Sequence, residues 1–356
     1  MSHWKKSLVR PDDSLKQVIS VLDGTDSQIC LVVDEEQRLL GTITDGDIRR
    51  AILRSQPFDI QICEVMNVDP VTCRSDQSDE TLRNIMLNDK VRQLPCIDSD
   101  RHVIGLILLD ELVQKGKVPS RKNWVVLMAG GLGSRLQPLT NTTPKPLLHV
   151  GDQPILERIL ESLIEYNFEN FYISVNYKAE MVKDHFGDGS KWNVNIRYLE
   201  EDAPLGTAGA LTLLPSIPDQ PILVMNGDVL SEINFSSLMD FHQEQRADAT
   251  MCVRHYDFQV PYGVVTTKNL KITAIEEKPS HKFFVNAGIY VLEPKTLNLL
   301  PEAAIFDMTD LFLALIEANN ETTVFPIREY WLDIGRMNDF QLAQKAFDAN
   351  TAPETD

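Results

Sequence analysis

The sequence has too little positive charge for a protein that binds along a phosphate backbone. Lysine and arginine number 34 against 52 aspartate and glutamate residues, which gives a formal net charge of −18 at pH 7. Affinity for nucleic acid rests largely on clustered lysine and arginine, so we expect no nucleic-acid partner. A phosphate-bearing ligand would instead be small, held by a few local cations and a metal ion.

Long apolar runs are missing as well. No segment approaches the ~18 consecutive apolar residues of a membrane-spanning helix. The N-terminal stretch MSHWKKSLVRPDD also lacks the apolar core of a signal peptide. These two absences predict a soluble, cytoplasmic protein with no membrane partner.

The cysteines lack the spacing of a metal or redox site. They form no Cys-x-x-Cys or Cys/His pattern, and four of them lie in apolar or strand-like sequence. We therefore interpret them as reduced thiols that pack as small apolar side chains. The five cysteines are Cys30, Cys63, Cys73, Cys96 and Cys252. The scattered histidines, among them His185 and His242, are likewise interpreted as structural.

What the sequence does contain is an internal repeat with an offset of 64 residues. Cys30–Asp34 returns as Leu94–Asp98, and the polar turn after it ends on Gly41 in the first copy and Gly105 in the second. Each copy is preceded by an amphipathic helical pattern and followed by another helical pattern. The repeat predicts a unit of helix, strand, turn, strand and helix that occurs twice.

This repeat resembles a tandem pair of CBS domains, a regulatory module that often binds adenine nucleotides. The resemblance covers residues 1–118, with repeats at about 1–57 and 58–118. It implies that Thr44 contacts a phosphate and Asp47 contacts ribose hydroxyls, whereas the second copy has Leu108 and Glu111 at those positions. At most one cleft is therefore complete. Two alternatives stay open, namely a site for AMP, ADP or ATP and a structural or dimerising module without a ligand.

The sequence changes character after the repeat. Residues 119–122 contain Pro and Ser and are predicted to form a linker. From residue 123 apolar strand patterns alternate with helical patterns, beginning with the run Trp124–Ala129. This alternation predicts an α/β fold with an open, mostly parallel, Rossmann-like sheet over residues 123–350, preceded by the α+β CBS module. Residues 351–356 are expected to be a disordered tail.

A glycine-rich loop follows the first predicted strand of this sheet. It covers residues 129–133 and leads into Arg135, and Lys145 stands ten residues further on. The dinucleotide fingerprint would require glycine at Leu136, and a P-loop would require Gly-Lys-Ser/Thr, so the spacing excludes both. The glycines would let backbone N–H groups approach phosphates, and the two cations would neutralise charge on a transferred phosphoryl group.

The loop and its continuation, GGLGSRLQPLT and then PKPLLHV, resemble the opening signature of the sugar-1-phosphate nucleotidyltransferases. Further segments match that family in order: LGTAG at 205–209, NGD at 226–228, YGV at 262–264, EEKP at 276–279, NAGIY at 286–290 and WLDIG at 331–335. The resemblance spans nearly all of residues 123–345 and implies a Rossmann-like nucleotidyltransferase sheet. It also implies that an oxygen of a sugar 1-phosphate attacks the α-phosphorus of an NTP, with pyrophosphate as the leaving group.

The resemblance also implies roles for individual residues. Arg135 and Lys145 would be the catalytic cations. Asp228 and Asp333 would hold Mg²⁺ on the α-phosphate, which suits a cation that prefers a few carboxylates. The nucleotide-binding residues would be Ala129, Gly130, Gly131, Gly133, Gly206 and Asp228. The sugar-phosphate-binding residues would be Gly263, Glu277, Lys278 and Asn286.

One segment bears on the choice of nucleotide. Family members that use dTTP typically read Trp-Leu-Asp-Thr-Gly-Thr at the second metal aspartate, whereas this chain has Ile334 and Arg336 in place of the threonines. The segment is closer to the mannose-1-phosphate guanylyltransferase branch, so we expect GTP. CBS pairs fused ahead of such a domain resemble the GTP:glucosamine-1-phosphate guanylyltransferases of legionaminic acid biosynthesis.

The acceptor sugar stays open at this point. GDP-glucosamine is one expected product, and mannose 1-phosphate or heptose 1-phosphate are alternative acceptors. A catalytically inactive nucleotide-sugar sensor is a further alternative, although a sensor has no need to keep both metal aspartates. A glycosyltransferase would require an Asp-x-Asp metal motif, which Asn226-Gly227-Asp228 does not supply. We also expect a homo-oligomer.

Overall fold

The computed structural model describes residues 3–25, 27–54, 56–89, 91–109, 121–301 and 304–351. The chain divides into two compact units, Met1–Pro119 and Ser120–Asp356. Over the residues that are described, no helix is both long and apolar enough to cross a membrane. All five cysteines are free thiols, and the burial of all but Cys63 confirms the interpretation as packing residues for those four, whereas Cys63 is exposed.

The first unit contains the repeat. In its first copy, strand β1 (Leu8–Val9) precedes helix α1 (Leu15–Asp23), and β2 (Ile29–Val33), β3 (Leu39–Thr44) and α2 (Asp45–Leu53) follow. The second copy has α3 (Asp79–Asn88), β4 (Gln93–Ile97) and β5 (Val103–Leu108). Both copies show the predicted order of helix, strand and strand. The closing helix predicted around Glu111 lies outside the described residues.

Helix α1 illustrates how the sequence specifies these elements. The Ser14 hydroxyl accepts a hydrogen bond from the backbone N–H of Gln17, and the Gln17 side chain accepts one from the backbone N–H of Ser14. This capping box satisfies two donors that the first turn of a helix leaves free. The apolar face of the helix, Leu15, Val18 and Leu22, is buried in a cluster with residues of β2, β3 and α2.

The second unit is built on a seven-stranded sheet. All its neighbouring pairs are parallel except those of β16 (Ser280–Leu292), which runs antiparallel to both of its neighbours. The prediction of a mostly parallel sheet is therefore confirmed. In spatial order the strands are β10 (Asn195–Glu200), β9 (Phe168–Val175), β6 (Arg121–Met128), β11 (Ile222–Asn226), β16 (Ser280–Leu292), β13 (Ala249–Gln259) and β17 (Thr322–Ile327).

Helices and short strands complete this unit. The helices are α4 (Ile155–Glu165), α5 (Ala179–Phe186), α6 (Gly206–Gly209), α7 (Phe235–Gln245), α8 (Met308–Glu317) and α9 (Met337–Thr351). Three two-stranded sheets pair β7 (His149–Val150) with β8 (Gln153–Pro154), β12 (Val229–Ser231) with β18 (Trp331–Asp333), and β14 (Gly263–Lys268) with β15 (Lys271–Glu277). Successive residues Val125, Val126 and Leu127 of β6 are all fully buried. Because successive side chains of a strand point to opposite faces, both faces of the central sheet are covered.

Two predicted boundaries are wrong. Arg121 and Lys122 were expected in the linker, but they begin β6. The backbone N–H of Arg121 donates to the carbonyl of Asn167 at 2.8 Å, and its side chain donates to the Ser236 hydroxyl at 3.0 Å, so tertiary contacts extend the strand beyond its apolar run. Thr351, expected in the tail, is the last residue of α9. The rest of that tail lies outside the described residues.

Candidate active site

Two carboxylates meet beyond the carboxyl end of β11. Asp228 follows this strand after Gly227, and Asp333 is the last residue of β18. Strands β12 and β18 pair antiparallel with Val229 opposite Asp333, and the N–H of Ile334 donates to the Asp228 carbonyl at 2.9 Å. This pairing brings together two aspartates that are far apart in the sequence, at the sheet edge where ligands of α/β proteins bind.

Gly227 allows the chain to turn at this point. Its N–H donates to the carbonyl of Met128 at 2.8 Å, and a Cβ at position 227 would lie only 2.7 Å from that same carbonyl oxygen. A larger residue would push the chain away from the end of β6 and move Asp228 with it. The glycine of the NGD segment therefore has a direct structural reason.

The two predicted catalytic cations lie at these carboxylates. The ammonium of Lys145 forms an ion pair with Asp228, and the two side chains are 12% and 25% exposed. A Cβ at Gly335 would lie 3.5 Å from a carboxylate oxygen of Asp333 and 3.7 Å from the guanidinium of Arg135, so these two groups flank the same glycine. Two anions and two cations thus form one cluster.

The two carboxylates of the cluster repel each other. Burial, and then the negative charge of Asp228, raise the pKa of the Asp333 carboxyl above its usual range, although Lys145 and Arg135 act in the opposite direction. A divalent ion between the two carboxylates would offset their repulsion. Carboxylate oxygens from separate strands fit the preference of Mg²⁺ for a few carboxylates together with water and phosphate oxygens.

Of the three glycines in the glycine-rich loop, Gly131 has open space around it, and Gly130 and Gly133 are crowded. A Cβ on Gly131 would meet nothing within 4 Å, which leaves its backbone accessible. Gly133 has a φ of +62°, and a Cβ there would lie 2.8 Å from the Thr140 side chain and 3.1 Å from the Cβ of Lys145. Gly133 therefore lets the segment that carries Lys145 pack against the loop. The N–H of Ala129 donates to the Ser174 carbonyl at 3.0 Å, so it is already used within the sheet.

Glu201 organises this edge of the sheet and was missed by sequence reasoning. The Ser174 hydroxyl donates to its Oε1, the N–H of Leu205 donates to its Oε2 at 3.0 Å, and a Cβ on Gly130 would lie 2.6 Å from Oε1. The carboxylate thus links the glycine loop to the segment before Gly206. Its position directly after β10, at the carboxyl edge of the sheet, is the signal that could have identified it.

Gly206 also has a structural reason for being glycine. Its φ is +82°, and a Cβ there would lie 2.7 Å from the carbonyl oxygen of Phe306. The next residue, Thr207, donates its N–H to the Asp307 carboxylate at 2.9 Å. The backbone around Gly206 is thus fixed against a distant part of the chain, and its contact with a nucleotide base stays a prediction.

Three of the four predicted sugar-phosphate residues lie together on a hairpin. Gly263 and Glu277 face each other at the base of β14 and β15, and Lys278 follows with a φ of +48°. Among the described residues, none of the three makes a hydrogen bond or ion pair with Asp228 or Asp333. Their role in binding a sugar phosphate therefore stays a prediction.

The fourth, Asn286, lies in a small pocket that Asp333 also lines. The amide nitrogen of Asn286 donates to the Tyr290 hydroxyl at 2.8 Å, and burial raises the pKa of Tyr290 to about 12. The indole N–H of Trp331 donates to the Ala287 carbonyl at 2.8 Å. The residues that line the pocket are Asn226, Val229, Asn286, Ala287, Gly288, Tyr290, Trp331 and Asp333.

In the first unit, Thr44 and Asp47 contact each other at the start of α2. The backbone N–H and the hydroxyl of Thr44 donate to the Asp47 carboxylate at 2.9 and 2.7 Å, which caps the helix. The other oxygen of Asp47 pairs with Arg50 at 2.5 Å. Of the corresponding positions in the second copy, Leu108 ends β5 and Glu111 lies outside the described residues.

Sequence comparisons match both units. A nucleotidyl transferase family model matches residues 124–350, and a CBS domain model matches residues 7–54 and 62–116. The mannose-1-phosphate guanyltransferase of Debaryomyces hansenii is 35% identical over 225 residues, which are 60% of this chain and 62% of that protein. The Saccharomyces cerevisiae protein of the same name is 34% identical, with the same two shares. The chain thus spans less than two thirds of the length of these curated relatives.

Solved structures give the same picture of the fold. A putative glucose-1-phosphate thymidylyltransferase from Bacillus anthracis, in complex with a sucrose, matches with a TM-score of 0.52 and 25% identity, over 65% of this chain and 97% of that one. HddC from Yersinia pseudotuberculosis matches with a TM-score of 0.51 and 26% identity, over 63% and 99% of the two chains.

Proposed function

The chain belongs to the nucleotidyl transferase family, with two CBS domains at its N-terminus, and we propose that it transfers GMP from GTP to a sugar 1-phosphate with release of pyrophosphate. The observation that carries this proposal is the cluster of Arg135, Lys145, Asp228 and Asp333 beyond the carboxyl end of β11. Phosphoryl transfer requires positioning and charge stabilisation above all, and these four groups are suited to both. The guanyltransferase names of the curated relatives support GTP as the nucleotide.

Both reactants are anionic, so the protein must hold them in line and screen their repulsion. Mg²⁺, when bound, neutralises negative charge at the α-phosphate, and Asp228 and Asp333 are the residues that would hold it. Arg135 and Lys145 add positive charge, and backbone N–H groups of the glycine loop bind phosphate oxygens. The sugar phosphate oxygen is itself the nucleophile, and it forms a bond to the α-phosphorus as the bond to pyrophosphate breaks. No nucleophilic side chain is required.

Two acceptors have specific support. The names of the curated relatives favour mannose 1-phosphate, and the tandem CBS module favours glucosamine 1-phosphate through its resemblance to the guanylyltransferases of legionaminic acid biosynthesis. Both sugars leave the chemistry at the α-phosphorus unchanged. The acceptor therefore has to be found by measurement.

The test is pyrophosphate release from a matrix of nucleotides and sugars. GTP, ATP, UTP, CTP and dTTP are each combined with mannose, glucosamine, glucose and heptose 1-phosphates in the presence of Mg²⁺. We expect release with GTP, only when a sugar 1-phosphate is present. Asp228→Asn should lower the rate by at least about 100-fold, because it removes a carboxylate at the transferred phosphate. Asp219→Asn, at an exposed aspartate, is the matched control and should leave the rate unchanged.

Two results would contradict the proposal. If no combination releases pyrophosphate and the protein still binds a nucleotide sugar, the chain is a sensor rather than an enzyme. If Asp228→Asn is as active as the wild type, the carboxylate pair is not the catalytic centre.

We further propose that the first CBS copy binds an adenine nucleotide through Thr44 and Asp47. The proposal is supported by the CBS domain model, which matches residues 7–54, and by the place of both residues at the start of α2. Such a ligand would compete with Arg50 for the Asp47 carboxylate. The alternative is a module that serves only to hold two chains together in a homo-oligomer.

A further inference from the structure

The pocket beside Asp333 contains a polar atom that has no partner. Asn226 is the last residue of β11, two positions before Asp228, and it is one of the residues that line this pocket. Its Oδ1 is fully buried, and no hydrogen-bond donor of the described residues lies within reach. Buried acceptors are rarely left without a donor, because they lose their hydrogen bonds to water and gain nothing in return.

The other neutral polar side chains of the pocket are already engaged. Asn286 uses its nitrogen on the Tyr290 hydroxyl and its oxygen on the N–H of Gly288, at 2.8 and 2.9 Å. Trp331 uses its indole N–H on the Ala287 carbonyl. Asn286, the residue to which the family resemblance gives a sugar contact, therefore has each of its amide atoms in one hydrogen bond within the protein. Asn226 is the amide of this pocket whose oxygen has no hydrogen bond among the described residues.

The position of the Asn226 side chain depends on a glycine. Gly288 has a φ of +72°, and a Cβ there would lie 2.7 Å from the amide nitrogen of Asn226 and 3.1 Å from its Cγ. Any larger residue at 288 would displace the amide from the pocket. The space that holds Asn226 is thus built into the neighbouring strand.

We propose that Asn226 is a specificity-determining residue, whose Oδ1 accepts a hydrogen bond from a hydroxyl or amino group on the ring of the sugar 1-phosphate. This inference rests on the proposed function. Trp331 and Tyr290 line the same pocket and offer apolar surface to the ring, and Asp333 places the pocket beside the reacting phosphates. A sugar that lacks the donor would leave the acceptor buried and unpaired, and a site of this kind rejects such analogues strongly.

The experiment compares kcat/KM for the best acceptor with kcat/KM for its monodeoxy analogues, using the full chain, GTP and Mg²⁺. We expect the wild type to discriminate against one analogue by at least about 10-fold, and Asn226→Leu and Asn226→Ala to lose that discrimination while keeping the KM for GTP. Asn195→Leu, at a partly buried asparagine in β10, is the matched control and should keep it. Comparison of glucosamine with glucose 1-phosphate shows whether the donor is the amino group or a hydroxyl.

Two outcomes overturn the inference. One is equal discrimination by the wild type and both Asn226 variants. The other is a defect that appears only as a higher Mg²⁺ requirement, which would make the amide a partner of the metal instead.

If the wild type releases no pyrophosphate with any pair, the proposed function fails. Calorimetry with mannose and glucosamine 1-phosphates then tests whether Asn226 contacts the sugar. Binding that Asn226→Leu weakens by about 10-fold supports the inference, and any other result overturns it.

Discussion

At the scale of single residues, the site keeps like charges close together at a cost in stability. Asp333 lies next to Asp228, and although the residue is exposed, desolvation of its carboxyl and that neighbouring charge raise its pKa. Lys145 and Arg135 offset this only in part. Groups arranged for binding or catalysis are often not arranged for stability, so replacement of one of them can stabilise the fold.

Asp333→Asn should therefore separate stability from activity. Without metal, the variant is expected to be more stable by less than about 1 kcal/mol, because a like charge beside Asp228 has been removed and solvent screens part of its effect at this exposed residue. Its rate of pyrophosphate release should fall by at least about 100-fold. Thermal unfolding in a chelator, combined with the pyrophosphate assay, checks both effects.

Asp219→Asn serves as the control for this pair of measurements, since its side chain is exposed and should change neither quantity. A fall in the unfolding temperature of Asp333→Asn would mean that the cations at the site more than compensate the repulsion.

At the scale of elements, the sequence predicts which segments form strands and helices better than it predicts how they pair. The run beginning at Trp124 becomes β6, but the direction of β16 and its pairing with β11 could not be predicted. Apolar periodicity reports burial, whereas strand direction depends on where the intervening chain travels. Family motifs pointed to Asp228 and Asp333. Glu201 and Asn226 were missed, because their contacts form only when separate strands lie side by side.

The packing of α7 against β13 makes stability depend on pH. His242 is buried on α7, and its Nδ1 lies 2.7 Å from the Thr250 hydroxyl of β13. Burial lowers the pKa of His242 to about 4, against an opposing effect of the Asp248 charge, and the carboxylate of Glu293 lies 3.5 Å from its Nε2. A lowered histidine pKa means that the unfolded chain binds the proton more readily.

The contribution of His242 to the free energy of unfolding should therefore be fully present above pH 6.5. It should decline as the pH falls toward 4, by up to about 3 kcal/mol. Chemical denaturation at a series of pH values measures the decline. His242→Gln should flatten it, and His149→Gln, at an exposed histidine, should not. An unchanged slope in His242→Gln would show that Glu293 supplies enough negative charge to hold the protonated ring.

At the scale of the whole molecule, the net charge of the second unit is negative, whereas the candidate site within it contains positive side chains. Residues 121–356 carry 19 lysine and arginine against 32 aspartate and glutamate residues, a net of −13, and this is the unit proposed to bind two polyanions. The low content of basic residues predicts that nucleic acid is not a partner, but it says nothing against phosphate chemistry. A few cations that face one cluster are enough, because interactions over distances beyond about 8 Å are screened by physiological salt.

The first unit has its own apolar clusters. The ligand proposed for this unit can be tested on the intact chain. Calorimetry with AMP, ADP and ATP should give heat for at least one of them. Asp47→Asn, which keeps an acceptor for the helix cap but removes the charge, should weaken binding by about 10-fold. Ser14→Ala, which removes the cap of α1, is the control for a general loss of helix stability and should leave the affinity unchanged.

The absence of heat with all three nucleotides would contradict ligand binding at Thr44 and Asp47. Sedimentation of the same samples would then show whether the module instead holds two chains together. A dimer that is unaffected by nucleotide is the result expected of that alternative.

The antiparallel pairing of β12 with β18 has a consequence for biosynthesis. Translation delivers Asp228 more than a hundred residues before Asp333, so a chain still on the ribosome carries the first aspartate long before the strand that brings the second. The short strand β12 must wait, with its edge open, for a partner that is made late. A nascent chain can therefore contain the glycine loop and most of the sheet and still lack one of the two carboxylates that are proposed to hold the metal ion.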